Sequence, residues 1–92
     1  MTPQDFETAL LADGYSTATT VERPISYSLN EHQHPFDACA LITAGEITLT
    51  VDGLSQTYVV GDIVRLQAGT VHLESAGPTG VTYLSCRRQV LA

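Results

Sequence analysis

Residues 61–72 of the chain read GDIVRLQAGTVH, and the earlier residues 32–34 read HQH. These two stretches contain all of the histidines in the protein, which are His32, His34 and His72. In a chain of short strands, the His-x-His spacing places both imidazoles on one face, because side chains alternate with a period of two. Neutral imidazoles are common ligands of divalent metals. The two stretches therefore predict one metal site formed by three histidines.

The composition limits the size of the protein and the kind of partner it can have. The chain has 92 residues, which suits one small domain spanning residues 1–92. A net charge of −6 with only four Lys and Arg residues argues against nucleic acid or an anionic membrane as a partner. No apolar run approaches the length of a membrane span, and no signal region is recognisable, so we predict a cytoplasmic protein.

The two cysteines, Cys39 and Cys86, are compatible with a disulfide. In a reducing compartment free thiols are the better expectation, and no zinc-ribbon spacing is present. We predict that both are small core residues or inert thiols. A thiolate ligand at Cys39 is not expected.

The N-terminal residues carry the signals of a short helix. Pro3 suits the first helical position and Gly14 is a natural stop, which predicts a helix over about residues 2–13. Phe6 and Leu10 are four residues apart and share its apolar face. A helix of this length is not stable alone, so this face is predicted to cover part of the β structure.

After this helix the chain has the pattern of an all-β protein. Short β-branched and alternating runs are separated by Gly, Pro and Asp-Gly signals. Asp52-Gly53 predicts a hairpin turn, Ala44-Gly45 predicts a tight turn between two strands, and residues 77–80 predict further turns. About eight short strands at regular spacing are typical of a sandwich or small barrel.

The two histidine stretches resemble the two motifs of the cupin superfamily, whose fold is a small β-barrel of the jelly-roll type. Its first motif is Gly-x5-His-x-His-x3,4-Glu-x6-Gly and corresponds to about residues 26–45. His32, His34 and Gly45 match this motif. Its leading Gly is absent, and Ala38 stands where the motif has Glu.

The second cupin motif is Gly-x5-Pro-x-Gly-x2-His-x3-Asn and corresponds to about residues 61–76. Gly61, Gly69 and His72 match it, while glutamine and alanine replace its Pro and Asn. The resemblance implies an all-β jelly-roll cupin barrel with a short N-terminal helix. It does not specify a reaction, because this superfamily carries enzymes, sensors and storage proteins on one scaffold.

The resemblance also implies one divalent transition metal, which could be Fe, Mn, Ni, Cu or Zn. The ligands would be His32, His34 and His72, with open positions left for water or substrate. The carboxylate of the first motif is missing. Glu74, two residues after His72 and so on the same face, is the best candidate to supply one as a ligand or as a catalytic proton acceptor. Asp37 is the alternative.

Several other residues are candidates for the walls of a ligand cavity. Phe36 and Tyr83 suit an apolar wall, although an aromatic residue in a small barrel is more often simply part of the core. Arg65 would clamp an anionic ligand if it pointed inward, but an outward surface position is the favoured expectation. The sequence leaves the roles of Ser85 and Arg87 open.

Two classes of function stay open at this point. In the first class, the protein is a mononuclear metalloenzyme, dioxygenase-like or related, that acts on a small organic molecule. Alternatively, it is a non-catalytic module that binds or senses a small molecule. In both cases the predicted partner is a small-molecule ligand. Its small size, its exposed sheet and its resemblance to cupins also predict a homodimer.

Overall fold

The computed structural model describes residues 1–90, which form one helix and six strands. They are α1 (Pro3–Ala12), β1 (Thr19–Arg23), β2 (Ser28–His32), β3 (Phe36–Val51), β4 (Leu54–Val59), β5 (Ile63–Leu66) and β6 (His72–Gln89). Neighbouring strands all pair in the antiparallel direction. Residues 1–90 contain no helix with the length and apolar character that crossing a bilayer requires.

The two long strands, β3 and β6, form the centre of the structure. They pair along almost their whole length, from Phe36 opposite Gln89 to Thr50 opposite Leu73. Strands β1 and β5 flank one half of this pair, and β2 and β4 flank the other half. The order β1-β6-β3-β5 defines a helix-side sheet, and the order β2-β6-β3-β4 defines an open-side sheet. Residues of both sheets line one cavity between them, as in a jelly roll.

The bend that separates the two sheets lies at Gly45, where the register between β3 and β6 shifts. The predicted tight turn at Ala44-Gly45 is wrong, because β3 continues through it. Gly45 has φ +67°, and a Cβ at this position would overlap the carbonyl oxygen of Gly80. The predicted turns over residues 77–80 are also wrong, since β6 runs through them. Glycine lets both strands bend together in close contact, so β3 and β6 continue where the sequence predicted turns.

Helix α1 covers the outer face of the helix-side sheet. It begins after the N-cap Thr2, whose Oγ1 accepts a backbone hydrogen bond of 3.1 Å from the first turn. The predicted helix over residues 2–13 is therefore confirmed to within one residue at each end. Phe6 and Leu10 are only 1% and 3% exposed, and they pack in one cluster with Leu41 of β3. The predicted apolar face is the face that is buried.

The two cysteines are free thiols in this same cluster. Cys39 and Cys86 lie directly opposite each other on β3 and β6, and both are buried. Burial raises the pKa of both thiols. Because the thiolate is the reactive form, these buried thiols are poor nucleophiles. The structure agrees with the prediction that they are small, inert core residues.

Candidate metal centre

A cavity of about 230 Å³ lies between the two sheets. Ligand pockets usually measure roughly 300–1,000 Å³, so this cavity suits a small ligand. At about 30 Å³ for each water, it has room for about eight water-sized groups. Apolar side chains form much of its wall, among them Ala38, Ala40, Ile42, Leu49, Val64 and Leu66.

The three histidines meet at one end of this cavity. His32 is the last residue of β2, and His72 is the first residue of β6. His34 lies in the connection between β2 and β3 rather than on the strand of His32, where the spacing had placed it. The N–H of Gly69 donates a 2.8 Å hydrogen bond to the carbonyl of His34 and fixes this connection. The candidate ligand atoms of the three rings lie within 4.8 Å of one another.

Backbone carbonyls orient two of the three rings. Nδ1 of His32 donates to the carbonyl of Asn30 at 2.7 Å, and Nδ1 of His72 donates to the carbonyl of Thr70 at 2.9 Å. Since a carbonyl oxygen can only accept, each Nδ1 carries the proton, and the neutral ring has its lone pair on Nε2. Metal-binding histidines are commonly held in this way. The Nε2 atoms of His32 and His72 are therefore available as metal ligands.

One nitrogen of the cluster has no partner within residues 1–90. His32 Nε2 is buried without a hydrogen bond, although Glu74 Oε1 lies 3.3 Å away in a geometry that is not a hydrogen bond. Leaving a buried polar atom unpaired is costly. Nitrogen and oxygen ligands at about 2.1 Å from one ion lie roughly 3.0–3.5 Å apart. This separation, together with the three imidazoles, fits a divalent transition metal.

The electrostatics of the third ring also favour a metal ligand. Burial lowers the pKa of His34, and the neighbouring imidazoles of His72 and His32 lower it further. The neutral form of the ring is therefore favoured near neutral pH. Only this form presents a nitrogen lone pair to a metal.

Glu74 lies in the cavity on the same side as His72, where its spacing in the sequence had placed it. The hydroxyl of Tyr27 donates a 2.9 Å hydrogen bond to its Oε1. Burial and this hydrogen bond raise the pKa of Tyr27, so the phenol keeps its proton and remains the donor. Sequence reasoning missed Tyr27, because the contact arises only through the pairing of β2 with β6. No local pattern around Tyr27 signals it.

Asp37, the alternative carboxylate, is turned away from the cavity. Its Oδ2 lies 3.0 Å from Nη2 of Arg88, and its Oδ1 accepts a 2.9 Å hydrogen bond from the N–H of Ala68. The N–H of Ala68 and the Arg88 guanidinium lower the pKa of Asp37. Ala38, which has the opposite strand parity, faces the cavity at the position of the motif glutamate and offers no ligand.

We expect the charge of Asp37 to stabilise the fold only where it is ionised. The folded-state pKa lies below the ordinary value of 3.8, so this contribution is present above that value and is lost as the pH falls through the folded-state pKa. Asp37→Asn should therefore lower the Tm by a few degrees at about pH 7 and by less at about pH 3. Thermal unfolding of both proteins measures this, and an equal gap at the two pH values would contradict it.

Four of the five remaining wall candidates lie at the cavity, whereas Arg65 is exposed and does not line it, as favoured from the sequence. Phe36 and Tyr83 both line it, and the ring of Phe36 stacks on His34 at 5.0 Å between centroids and 16° between planes. Burial raises the pKa of Tyr83 to about 12, so this phenol stays protonated. Ser85 and Arg87, which the sequence left open, line the cavity as well, because they share the strand parity of Tyr83.

Comparison with solved structures identifies the fold of the protein. No protein-family model and no curated protein matches the sequence. A cupin superfamily protein from Desulfitobacterium hafniense matches the structure with a TM-score of 0.70 and 22% identity, covering 85% of this chain and 70% of that protein. The chain has the cupin fold. The prediction of a jelly-roll cupin barrel with a short N-terminal helix is thus confirmed.

Two further solved structures share similarity with this cupin fold. A conserved protein from Streptococcus pyogenes has a TM-score of 0.71 and 21% identity over 83% of this chain and 66% of its own length. A DMSP lyase from Ruegeria pomeroyi has a TM-score of 0.72 and 26% identity over 86% of this chain. The chain spans just under two thirds of the streptococcal protein and 40% of the lyase.

Proposed function

We propose that this protein is a mononuclear metalloenzyme of the cupin fold that acts on a small organic molecule. One divalent transition metal would be its cofactor. The observation that carries this proposal is the pair of rings, His32 and His72, whose Nδ1 atoms are tethered to carbonyls. Their Nε2 atoms and His34 converge at one end of a small cavity. The DMSP lyase lends support, since it is an enzyme with a similar fold, although a shared fold does not itself specify a reaction.

When bound, the metal would supply Lewis acidity or, if it is redox-active, oxygen activation. The chain's own residues supply the rest of the site. The carbonyls of Asn30 and Thr70 hold two rings in one tautomer. The apolar walls exclude water from the ligand and strengthen the electrostatic interactions inside the cavity.

We infer that Glu74 supplies the carboxylate that the first motif lacks. Its Oε1 is 3.3 Å from His32 Nε2, and its side chain is only 14% exposed. Tyr27 donates to the same oxygen and so holds the carboxylate towards the histidines. In this position Glu74 would be a fourth ligand of the metal, and it could accept a proton from a substrate when it is not coordinated.

Removing the charge of Glu74 is expected to weaken metal binding. Glu74→Gln keeps the shape of the side chain and should lower the affinity for Zn²⁺ by about 10- to 100-fold. Competition with a chromophoric chelator measures this affinity. Asp37→Asn is the matched control, because it makes the same chemical change outside the cavity and should leave the affinity unchanged. Equal affinities of all three proteins would remove Glu74 from the site.

The enzyme proposal requires an open coordination position on the metal. We expect the visible spectrum of the Co²⁺-loaded protein to change in a saturable way when azide is added, because azide can enter an open position. An unchanged spectrum would indicate a filled coordination sphere. It would then favour the non-catalytic alternative, in which the cavity only binds or senses a small molecule.

A further inference from the structure

The cationic side chains of the protein are unevenly distributed. The chain has four arginines and no lysine, against ten acidic residues. Two of its arginines, Arg23 and Arg87, line the cavity, and Glu74 is the only acidic residue among the described residues of the lining. A divalent metal would add two positive charges. The cavity of this acidic protein is therefore suited to an anion.

Of the two cavity arginines, Arg23 already has local polar contacts. Its Nη1 donates a 3.3 Å hydrogen bond to the carbonyl of Glu22, and its guanidinium lies 5.1 Å from the ring centroid of Tyr27. Neither arginine has a carboxylate within residues 1–90 at ion-pair distance, but the Arg87 guanidinium, unlike that of Arg23, also donates no hydrogen bond within these residues. The more available guanidinium of the cavity is that of Arg87.

The neighbouring residue shows how different the two faces of β6 are. Arg88 points to the outer face, where it pairs with Asp37 at 3.0 Å and with Asp13 at 3.3 Å. Arg87 points to the cavity face, because successive side chains of a strand alternate. There its guanidinium lies 4.3 Å from the ring centroid of Phe36. Among residues 1–90, the outer arginine has two acidic partners, and the inner one has an aromatic ring and no acidic partner.

A chain of contacts connects Arg87 with the histidines. The ring of Phe36 stacks on His34 and also contacts the Arg87 guanidinium. A planar guanidinium fixed on an aromatic ring loses little freedom when it forms a two-point hydrogen bond to a carboxylate. Arg87 is solvent-exposed at the cavity wall, so its donors are accessible to an entering ligand.

We propose that the ligand of the cavity is a small monocarboxylate and that Arg87 binds its carboxylate. The rest of the ligand extends from Arg87 towards the histidines, along the apolar wall. This inference rests on the proposed function, because it assigns a ligand class to the same cavity. With room for about eight water-sized groups, the cavity accommodates an acid of the size of butyrate.

Butyrate and its neutral isostere butyramide test the ligand class. We expect butyrate to give saturable NMR shift changes in the Zn²⁺-loaded protein, measured at moderate ionic strength so that long-range attraction is screened. Butyramide should bind at least about 10-fold more weakly, since it cannot form a charge-assisted pair. Equal binding of the two compounds, or no saturable change up to tens of millimolar butyrate, would overturn the proposal.

The Arg87→Gln variant tests whether Arg87 binds the carboxylate of the ligand. It should weaken butyrate binding at least about 10-fold and leave the Zn²⁺ affinity unchanged. Arg65→Gln is the matched control, because it removes the same charge from an exposed position that does not line the cavity, and it should bind butyrate like the parent protein. Butyrate binding that depends on Zn²⁺ and not on Arg87 would show that the carboxylate binds the metal, and would overturn the proposal.

The same samples separate a failure of this inference from a failure of the proposed function. If the parent protein takes up no metal, the proposed function fails, whatever butyrate does. If it takes up metal and Arg87→Gln binds butyrate unchanged, only the ligand assignment fails. The zinc content and the butyrate titration of each protein therefore give separate answers.

Discussion

Replacing His72 with alanine is expected to lower the affinity for Zn²⁺ by more than about 100-fold. Loss of a group that merely orients a metal ligand already costs about 10- to 100-fold, and His72 would be a ligand itself. Its ring is 1% exposed and is fixed by the carbonyl of Thr70, so no other side chain can easily take its place. Chelator competition measures the affinity.

The same substitution should remove the stabilisation that metal confers. Zn²⁺ at about 100 times its Kd stabilises a folded protein by about 2.7 kcal/mol, which appears as a rise in Tm on metal addition. We expect this rise in the parent protein and not in His72→Ala. Ser85→Ala is the control, because it shortens another polar side chain of the cavity without removing a ligand. A full rise in Tm for His72→Ala would contradict the three-histidine centre.

Replacing Gly45 with alanine should destabilise the fold by about 2–5 kcal/mol. Its φ of +67° is unfavourable for a residue with a side chain, and the new Cβ would overlap the carbonyl oxygen of Gly80. Both backbones belong to the β3–β6 pair that forms the bend, so neither can move without disturbing both sheets. Denaturant unfolding measures the loss, which is a large share of the stability of a small domain.

Gly53→Ala is the matched control for this substitution. Gly53 also has a positive φ, +77°, but no atom lies within 4 Å of a Cβ built at this position. Its replacement should cost only the backbone strain, about 1 kcal/mol. Equal losses of stability in the two variants would show that the close approach of Gly45 to Gly80 is unimportant.

Local signals predicted the parts of the fold that depend on local physics. The start of α1 follows from its N-cap and from Pro3, and the two-residue hairpin between β3 and β4 follows from Asp52-Gly53. The glycines of the two long strands gave the wrong prediction at Gly45 and at residues 77–80. A glycine that permits a bend within a strand carries the same local signal as one that ends it. Only the pairing of β3 with β6 distinguishes the two cases.

The candidate site was predictable to the extent that its residues lie close together in a motif. The two motifs located the three histidines, and strand parity placed Glu74 beside His72. The contact of Tyr27 with Glu74 and the position of Arg87 depend on tertiary pairing, which no local pattern specifies. The homodimer and the cytoplasmic location stay predictions.

The most direct test of the central claim is a metal titration of the tag-free, metal-free protein, followed by elemental analysis after gel filtration. We expect a stoichiometry near one divalent transition metal per chain, because the three histidines form one site. The His72→Ala protein, treated in the same way, should retain almost none. If neither protein retains iron, manganese, nickel, copper or zinc, the three-histidine metal centre is wrong.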